Sequence, residues 1–90
     1  MVKISDRLKT ATSLIREGAV LADVGTDHGY VPIYLLEQKK IKSAIAMDIN
    51  KGPLERAREH IHLYGMDAYI QTRLSDGVAA LEKGEADSIL

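Results

Sequence analysis

Acidic residues follow three separate apolar segments of this 90-residue sequence. Asp23 and Asp27 lie in the first group, DVGTDHGY, while Asp48 lies in AMDIN and Asp76 in LSDG. A carboxylate accepts hydrogen bonds from hydroxyl and amine groups and attracts positive charge, whereas it repels phosphate. The three groups therefore indicate a site for a ligand with a cationic centre, hydroxyls and an amine, if the fold brings them together.

Strand-like and helix-like segments alternate along the chain, and this alternation decides where the acids lie. It predicts a parallel sheet with right-handed crossovers, an α/β Rossmann-like doubly wound fold of about four strands preceded by an N-terminal helix. Ligands of such sheets bind beyond the carboxyl ends of the strands, where all three groups stand. The predicted strands are residues 19–24, 43–49, 69–74 and 87–90, and the predicted helices are residues 6–17, 30–40, 53–64 and 77–83.

Residue types at the ends and on the faces of these elements add detail. Ser5 or Asp6 can cap the first helix, and Gly18 ends it. The third strand is less apolar than the first two, which favours a position near an edge. Two helical stripes are expected to face the core, one of Leu8, Ala11, Leu14 and Ile15, the other of Leu54, Ala57, Ile61 and Tyr64.

The composition is that of one small globular domain. Hydrophobic residues make up 46% and charged residues 28% of the chain, which argues against disorder. A formal net charge of −1 gives no strong attraction to nucleic acid. Cysteine is absent, so disulfides and thiolate metal sites are excluded, and no metal site is expected. No apolar run approaches the roughly 20 residues that span a bilayer, and the N-terminus lacks a signal peptide, so we expect a cytoplasmic protein.

The last residues, ADSIL, are apolar and carry no turn signal. They predict a chain that stops inside its fourth strand and forms the N-terminal part of a longer domain. The alternative is a short natural chain whose last strand pairs at an edge, although edge strands are usually blunted by charge or proline.

The first acidic group resembles a nucleotide-binding loop but departs from it at Asp27. The dinucleotide fingerprint G-x-G-x-x-G is not met, because the sequence after Gly25 is T-D-H-G. A pyrophosphate beside Asp27 would be repelled by roughly 1–4 kcal/mol in a partly wet site. This loop therefore favours a cationic ligand over a dinucleotide.

The second and third groups suit a nucleoside. Asp48 lies 23 residues beyond Gly25, a spacing at which an acid can accept hydrogen bonds from ribose hydroxyls. Asp76 can accept from an exocyclic amine such as adenine N6, and Gly77 permits a close backbone approach. S-adenosylmethionine combines a sulfonium, an ammonium, a ribose diol and an adenine amine, so it matches the whole set. Alternatively, Asp, Gly and Ser after strands are simply good turn residues.

These motifs resemble those of class I S-adenosylmethionine-dependent methyltransferases. LADVGTDHGY is similar to their first motif, D-x-G-x-G-x-G, MDIN to the second and LSDG to the third. The chain is more closely similar to the bacterial tRNA (adenine-22-N1)-methyltransferase family. That resemblance rests on SDRLKTATSLI, LADVGTDHGYVPIYLL and INKGPLERA, and it extends over essentially all of the sequence.

The resemblance implies methyl transfer from S-adenosylmethionine to adenine N1 of tRNA, with S-adenosylhomocysteine as product. It also implies tRNA contacts made mainly by parts absent from this chain. Asp27, His28 and Tyr30 would lie near the transferable methyl and are the candidates for catalytic residues. By the resemblance, Asp23 and Gly25 would frame the methionine part of the cofactor, Asp48 would hold the ribose, and Asp76 with Gly77 the adenine edge. The full set of residues implied to bind the cofactor is Asp23, Gly25, Thr26, Asp27, Asp48, Ile49, Ser75, Asp76 and Gly77.

Two other hypotheses remain open. An NAD-type oxidoreductase domain is disfavoured by Asp27 and by the missing third glycine. A non-catalytic binding or assembly module would keep the sheet and self-associate through an open edge. His60 and His62 stand two apart on a predicted helix and so point to different faces; we expect surface residues rather than a metal pair.

Overall fold

Helices and strands alternate in the computed structural model, which describes residues 3–26 and 28–90. The strands form one parallel sheet, so the predicted α/β Rossmann-like fold is confirmed. In chain order the elements are α1 (Asp6–Thr12), β1 (Ala19–Val24), α2 (Tyr30–Glu37), β2 (Ile41–Asp48), α3 (Lys51–Leu63), β3 (Ile70–Leu74) and β4 (Ser88–Ile89). Their order across the sheet is β3-β2-β1-β4, so the winding direction reverses at β1.

The two central strands are apolar because the sheet buries both of their faces. Leu21 and Ala22 point to opposite faces of β1, yet both are fully buried. Ala46 and Met47 of β2 are also fully buried on opposite faces. In β3 only Ile70 is buried. The expectation that this less apolar strand lies near an edge is confirmed.

Helices α2 and α3 cover one face of the sheet and form most of the core with it. Ile33 and Leu35 of α2 are buried against the central strands. Leu54, Ala57 and Ile61 of α3 are also buried, and Tyr64 beyond the helix is half-buried, which confirms the predicted stripe. Each fully buried Leu or Ile contributes about 1.5–3 kcal/mol, so this face supplies much of the domain's stability.

Helix α1 is shorter than predicted. The Ser5 hydroxyl caps it by accepting from the amide of Leu8 at 3.2 Å, as expected, but the helix ends at Thr12 rather than at residue 17. The hydroxyls of Thr12 and Ser13 donate to backbone carbonyls three residues earlier, and such bonds compete with the helical pattern. Leu14 is consequently 88% exposed, which corrects its assignment to the core-facing stripe.

Other helix and strand ends move by a few residues. Helix α2 ends at Glu37, and Lys39 takes a left-handed φ of 56° in the turn that follows. The second strand begins at Ile41, two residues before the predicted start, and Asn50 precedes α3 as its N-cap. These shifts leave the carboxyl ends of the strands close to where the sequence places them.

Residues 77–83 form turns and not the predicted helix. The hydroxyl of Ser75 donates to the Gly77 carbonyl at 2.8 Å and accepts from the Ala80 amide at 3.0 Å, which folds the chain back on itself. Arg73 donates to the Ala80 carbonyl at 2.9 Å and forms a bidentate pair with Glu85, with both bonds at 2.6 Å. These bonds hold the segment between β3 and β4 against β3.

The Arg73–Glu85 pair gives the fold a defined response to acid. The hydrogen bonds from Arg73, and then the backbone bond from Glu82, lower the pKa of Glu85 from its ordinary 4.5 to about 2. A lowered pKa in the folded state stabilises the protein above the unfolded-state value, and this contribution is lost as the pH falls toward the folded-state value. The relevant window is therefore pH 4.5 down to about 2.

Glu85→Gln should lower the free energy of unfolding at pH 6, and its difference from the parent chain should shrink as the pH falls through that window. Urea unfolding followed by circular dichroism at several pH values measures this difference. Arg73→Gln removes the other half of the pair and should show the same loss of pH dependence. A difference between Glu85→Gln and the parent that is constant with pH would contradict the assignment.

Candidate functional site

The carboxyl ends of β1, β2 and β3 meet at one edge of the sheet. Val24 pairs with Met47, and Asp48 pairs with Leu74, so the three strands end in register. Neighbouring strands lie about 4.8 Å apart, so the ends of β1 and β3 are separated by roughly 10 Å. The structure therefore brings Asp48 together with the segments that follow β1 and β3, at a distance that one nucleoside can bridge.

The segment after β1 folds over the end of β2. Gly25 takes a φ of 73°, and the amides of Gly25 and Thr26 both donate to the Met47 carbonyl, at 2.9 and 2.8 Å. Asp23 and Thr26 are buried, with 6% and 2% of their surface exposed. The chain turns sharply at Gly25, and Asp23, just before the turn, lies inside the edge rather than on its surface.

Thr26 carries a polar atom whose bonding is incomplete. Among residues 3–26 and 28–90, its buried Oγ1 has no hydrogen-bond partner. A buried hydroxyl without a partner costs about 1–3 kcal/mol, so such atoms are uncommon away from functional segments. Asp27, the next residue and one of the sequence candidates, lies outside the described residues.

The two residues before α2 have left-handed backbone conformations. His28 has a φ of 56° and Gly29 a φ of 73°, and Tyr30 then begins the helix. A Cβ on Gly29 would lie 3.4 Å from the Cβ of Ala57, so α3 packs closely against this turn. Glycine at position 29 thus permits both the backbone conformation and the approach of α3.

His28 and Tyr30 form an aromatic cluster with His60 of α3. Ring centroids lie 5.3 Å apart for His28 and Tyr30, 5.0 Å for Tyr30 and His60, and 5.6 Å for His28 and His60. The Nδ1 atom of His60 also lies 2.9 Å from the carbonyl oxygen of His28. His60 is half-buried, which corrects its expected surface position, whereas His62 is exposed and pairs with Asp67 at 3.3 Å. The contact between His60 and His28 joins residues 32 positions apart, so no local sequence signal predicts it.

The second acidic group lies at the centre of the edge. Asp48 is half-buried, and its Oδ1 accepts from the Asn50 amide at 2.9 Å, which fixes the carboxylate beyond the strand. Ile49 beside it is 60% exposed, an apolar side chain at the edge of a polar site. A carboxylate next to an apolar surface suits a sugar hydroxyl attached to a flat ring.

The third group is joined to the second by the backbone. The Ser75 amide donates to the Asp48 carbonyl at 2.8 Å. Ser75 itself is buried, and its hydroxyl is engaged in the turn described above, whereas Asp76 and Gly77 are exposed. Gly77 has a φ of 57°, a conformation that favours glycine. Asp76 is therefore presented at the edge, while Ser75 shapes the turn that presents it.

A separate concave surface lies at the opposite edge of the sheet. It has a volume of about 380 Å³ and is lined by residues near the amino ends of β2 and β3, among them Ile41, Tyr64 and Tyr69. None of the three acidic groups lines it. In doubly wound sheets ligands bind at the carboxyl ends, so the acidic edge remains the candidate site.

Residues 3–26 and 28–90 offer neither a metal-binding cluster nor a helix that could span a membrane. No group of three or more His, Cys, Asp or Glu side chains is placed to hold a metal ion in this part of the chain. None of the helices formed by these residues has the length and apolarity that crossing a bilayer requires.

The reversal of winding at β1 and the acids at the strand ends are features of a doubly wound ligand-binding domain. Residues 4–90 match the family model described as "Methyltransferase domain". The match covers nearly the whole sequence, and the chain belongs to this family.

One curated relative and two solved structures show where in the family the chain stands. The tRNA (adenine(22)-N(1))-methyltransferase of Bacillus subtilis (strain 168) is 41% identical over 88 residues, which are 98% of this chain and 37% of the relative. The crystal structure of the B. subtilis M1A22 tRNA methyltransferase TrmK is 40% identical with a TM-score of 0.95, over 99% of this chain and 38% of that one. The M. capricolum TrmK structure, in complex with S-adenosyl-homocysteine, is 40% identical with a TM-score of 0.83, over 90% and 36%. The chain thus spans 37% of the length of its curated relative.

Thr26→Val tests whether the buried hydroxyl lowers the free energy of unfolding. Valine has nearly the same shape and removes the unpaired atom, so the free energy of unfolding should rise by about 1 kcal/mol. Urea unfolding measures the change, and Thr26→Ser, which keeps the hydroxyl and removes the methyl group, should lower stability instead. A valine variant less stable than the parent chain would mean that the hydroxyl is satisfied in solution.

Proposed function

We propose that this chain is the cofactor-binding portion of an S-adenosylmethionine-dependent methyltransferase that modifies N1 of an adenine in tRNA. One observation carries the proposal: three acidic groups stand along the carboxyl edge of a methyltransferase domain. Its support comes from relatives about 40% identical that are tRNA M1A22 methyltransferases, one of them in complex with S-adenosyl-homocysteine.

The donor set of the edge fits this cofactor. Asp48 would accept hydrogen bonds from the ribose hydroxyls, and the apolar side chain of Ile49 would pack beside the nucleoside. Asp76 would accept from the adenine amine, with Gly77 allowing the ring to approach the backbone. Ser75 contributes by shaping their turn, since its hydroxyl is engaged there.

The segment after β1 would frame the methionine part. Asp23, Gly25 and Thr26 lie in or beside the turn over the end of β2. Asp23 is at this end of the site, and Asp27, by its place in the sequence, would add a second negative charge. Such charge favours an ammonium and a sulfonium over a pyrophosphate. This electrostatic preference separates the proposed cofactor from NAD.

Methyl transfer to adenine N1 depends mainly on how the protein positions the two reactants. S-adenosylmethionine, when bound, supplies a methyl group on a cationic sulfur. The chain's residues would hold and orient the reactants, which is a large source of rate when two reactants must meet in line. Adenine N1 lies on the Watson–Crick edge, so the target base must be unpaired or flipped out. Asp27, His28 and Tyr30 are the candidates to face that base.

The tRNA would be bound mainly by parts of the protein outside these residues, because a net charge of −1 provides little attraction for a polyanion. A tRNA-modifying enzyme of this kind would act in the cytoplasm. Self-association would use the open outer edge of β3 or β4, where backbone groups are available for pairing.

Asp48→Asn is the direct test of the cofactor site. The amide keeps the shape of the side chain and an oxygen for the Asn50 amide, but it loses the charge that would bind the ribose. Calorimetry should show S-adenosylhomocysteine binding weakened by about 1–3 kcal/mol. Asp67→Asn, an exposed acid before β3 on the far edge, is the matched control and should bind as the parent does.

NAD serves as the competing ligand in the same experiment. Binding of NAD without S-adenosylhomocysteine would overturn the proposed function in favour of an oxidoreductase domain. Equal affinity of the Asp48→Asn and parent chains for S-adenosylhomocysteine would remove Asp48 from the site.

A further inference from the structure

We propose that His60 is a positioning residue of the candidate site, which holds the His28–Tyr30 turn from outside through its Nδ1 atom. The role of the turn in cofactor binding or methyl transfer rests on the proposed function above. The hydrogen bond itself does not, and it can be tested separately.

The hydrogen bond between His60 and His28 has a defined direction. A backbone carbonyl oxygen only accepts, so the Nδ1 atom that lies 2.9 Å from it must carry the proton. Neutral His60 is therefore the Nδ1–H tautomer, and its Nε2 atom is left as an acceptor. This assignment follows from the identity of the partner atom, without any assumption about the ligand.

The turn that His60 holds is conformationally unusual. His28 has a left-handed φ of 56°, which residues other than glycine rarely adopt, and Gly29 continues it with 73°. Such conformations persist where the surroundings hold them, and they cluster at functional sites. The hydrogen bond reaches the one peptide group, between His28 and Gly29, that both left-handed residues share.

Helix α3 supports both sides of this peptide group. Ala57, one turn before His60, lies so close to Gly29 that a Cβ on the glycine would be 3.4 Å from the Ala57 Cβ. The His60 ring stacks on Tyr30 with centroids 5.0 Å apart and planes 24° apart. The His60 ring also lies 5.6 Å from the ring of His28. Displacement of the His60 side chain would thus free the backbone of His28 and the ring of Tyr30 together, and these are two of the candidates for contact with the target base.

Two substitutions separate the hydrogen bond from the ring. In His60→Asn the amide nitrogen occupies the place of Nδ1 and can donate to the same carbonyl, but the ring is lost. In His60→Phe a ring remains for stacking on Tyr30, but no donor is present. Circular dichroism and urea unfolding of both variants establish that they are folded under the conditions of the binding measurements.

Nitrogen-15 NMR of the parent chain, at a pH high enough to deprotonate the ring, should show His60 as the Nδ1–H tautomer. The Gly29 amide belongs to the same peptide group as the His28 carbonyl, so its chemical shift should be kept in His60→Asn and changed in His60→Phe. S-adenosylhomocysteine affinity should fall roughly tenfold in His60→Phe and stay within about threefold in His60→Asn, the effect of one hydrogen bond that orders a binding turn.

An Nε2–H tautomer would overturn the proposal, and so would a His60→Phe chain that keeps both the Gly29 shift and the parent affinity. Equal losses in the Asn and Phe variants would overturn it as well, because the rescue by a donor would be missing. A parent chain that fails to bind S-adenosylhomocysteine would overturn the proposed function instead. In that case the tautomer and the Gly29 shift still decide the role of His60 in holding the turn.

Discussion

Parallel pairing of β1 with β2 is the constraint on which the candidate site depends. The pairing brings the end of β1 beside Met47, whose carbonyl then accepts the amides of Gly25 and Thr26 and turns the chain over the strand end. One step further along the edge, the Asp48 carbonyl accepts the amide of Ser75 in the same way. Backbone bonds thus locate the strand ends that carry the acidic groups.

Much of the fold is predictable because its signals are local. The bounds of β1, the cap at Ser5 and the buried stripe of α3 all follow from residue types within one element. The end of α1 and the turns at residues 77–83 do not, because side chains there bond to the backbone and compete with helix formation. The contact between Arg73 and Glu85 joins two different segments of the chain, so the structural propensities of single residues do not predict it.

The candidate site divides in the same way. The acids at the strand ends are visible in the sequence, since parallel strands necessarily align their carboxyl ends. His60 is invisible there, because its contact with His28 depends on how closely α3 approaches the turn at Gly29. Ser75 lies at the edge as the sequence predicts, but its hydroxyl points inward because it bonds to the carbonyl of Gly77 and the amide of Ala80.

The bidentate pair between Arg73 and Glu85 restrains the segment that carries Asp76 and Gly77. It joins both ends of the 13-residue segment 73–85, and within that segment Ser75 fixes the turn that carries Asp76 and Gly77. A loop left unrestrained loses conformational entropy when a ligand orders it, and that loss weakens affinity. Here the loss is taken during folding, so the turn that carries Asp76 and Gly77 is preorganised before any ligand arrives.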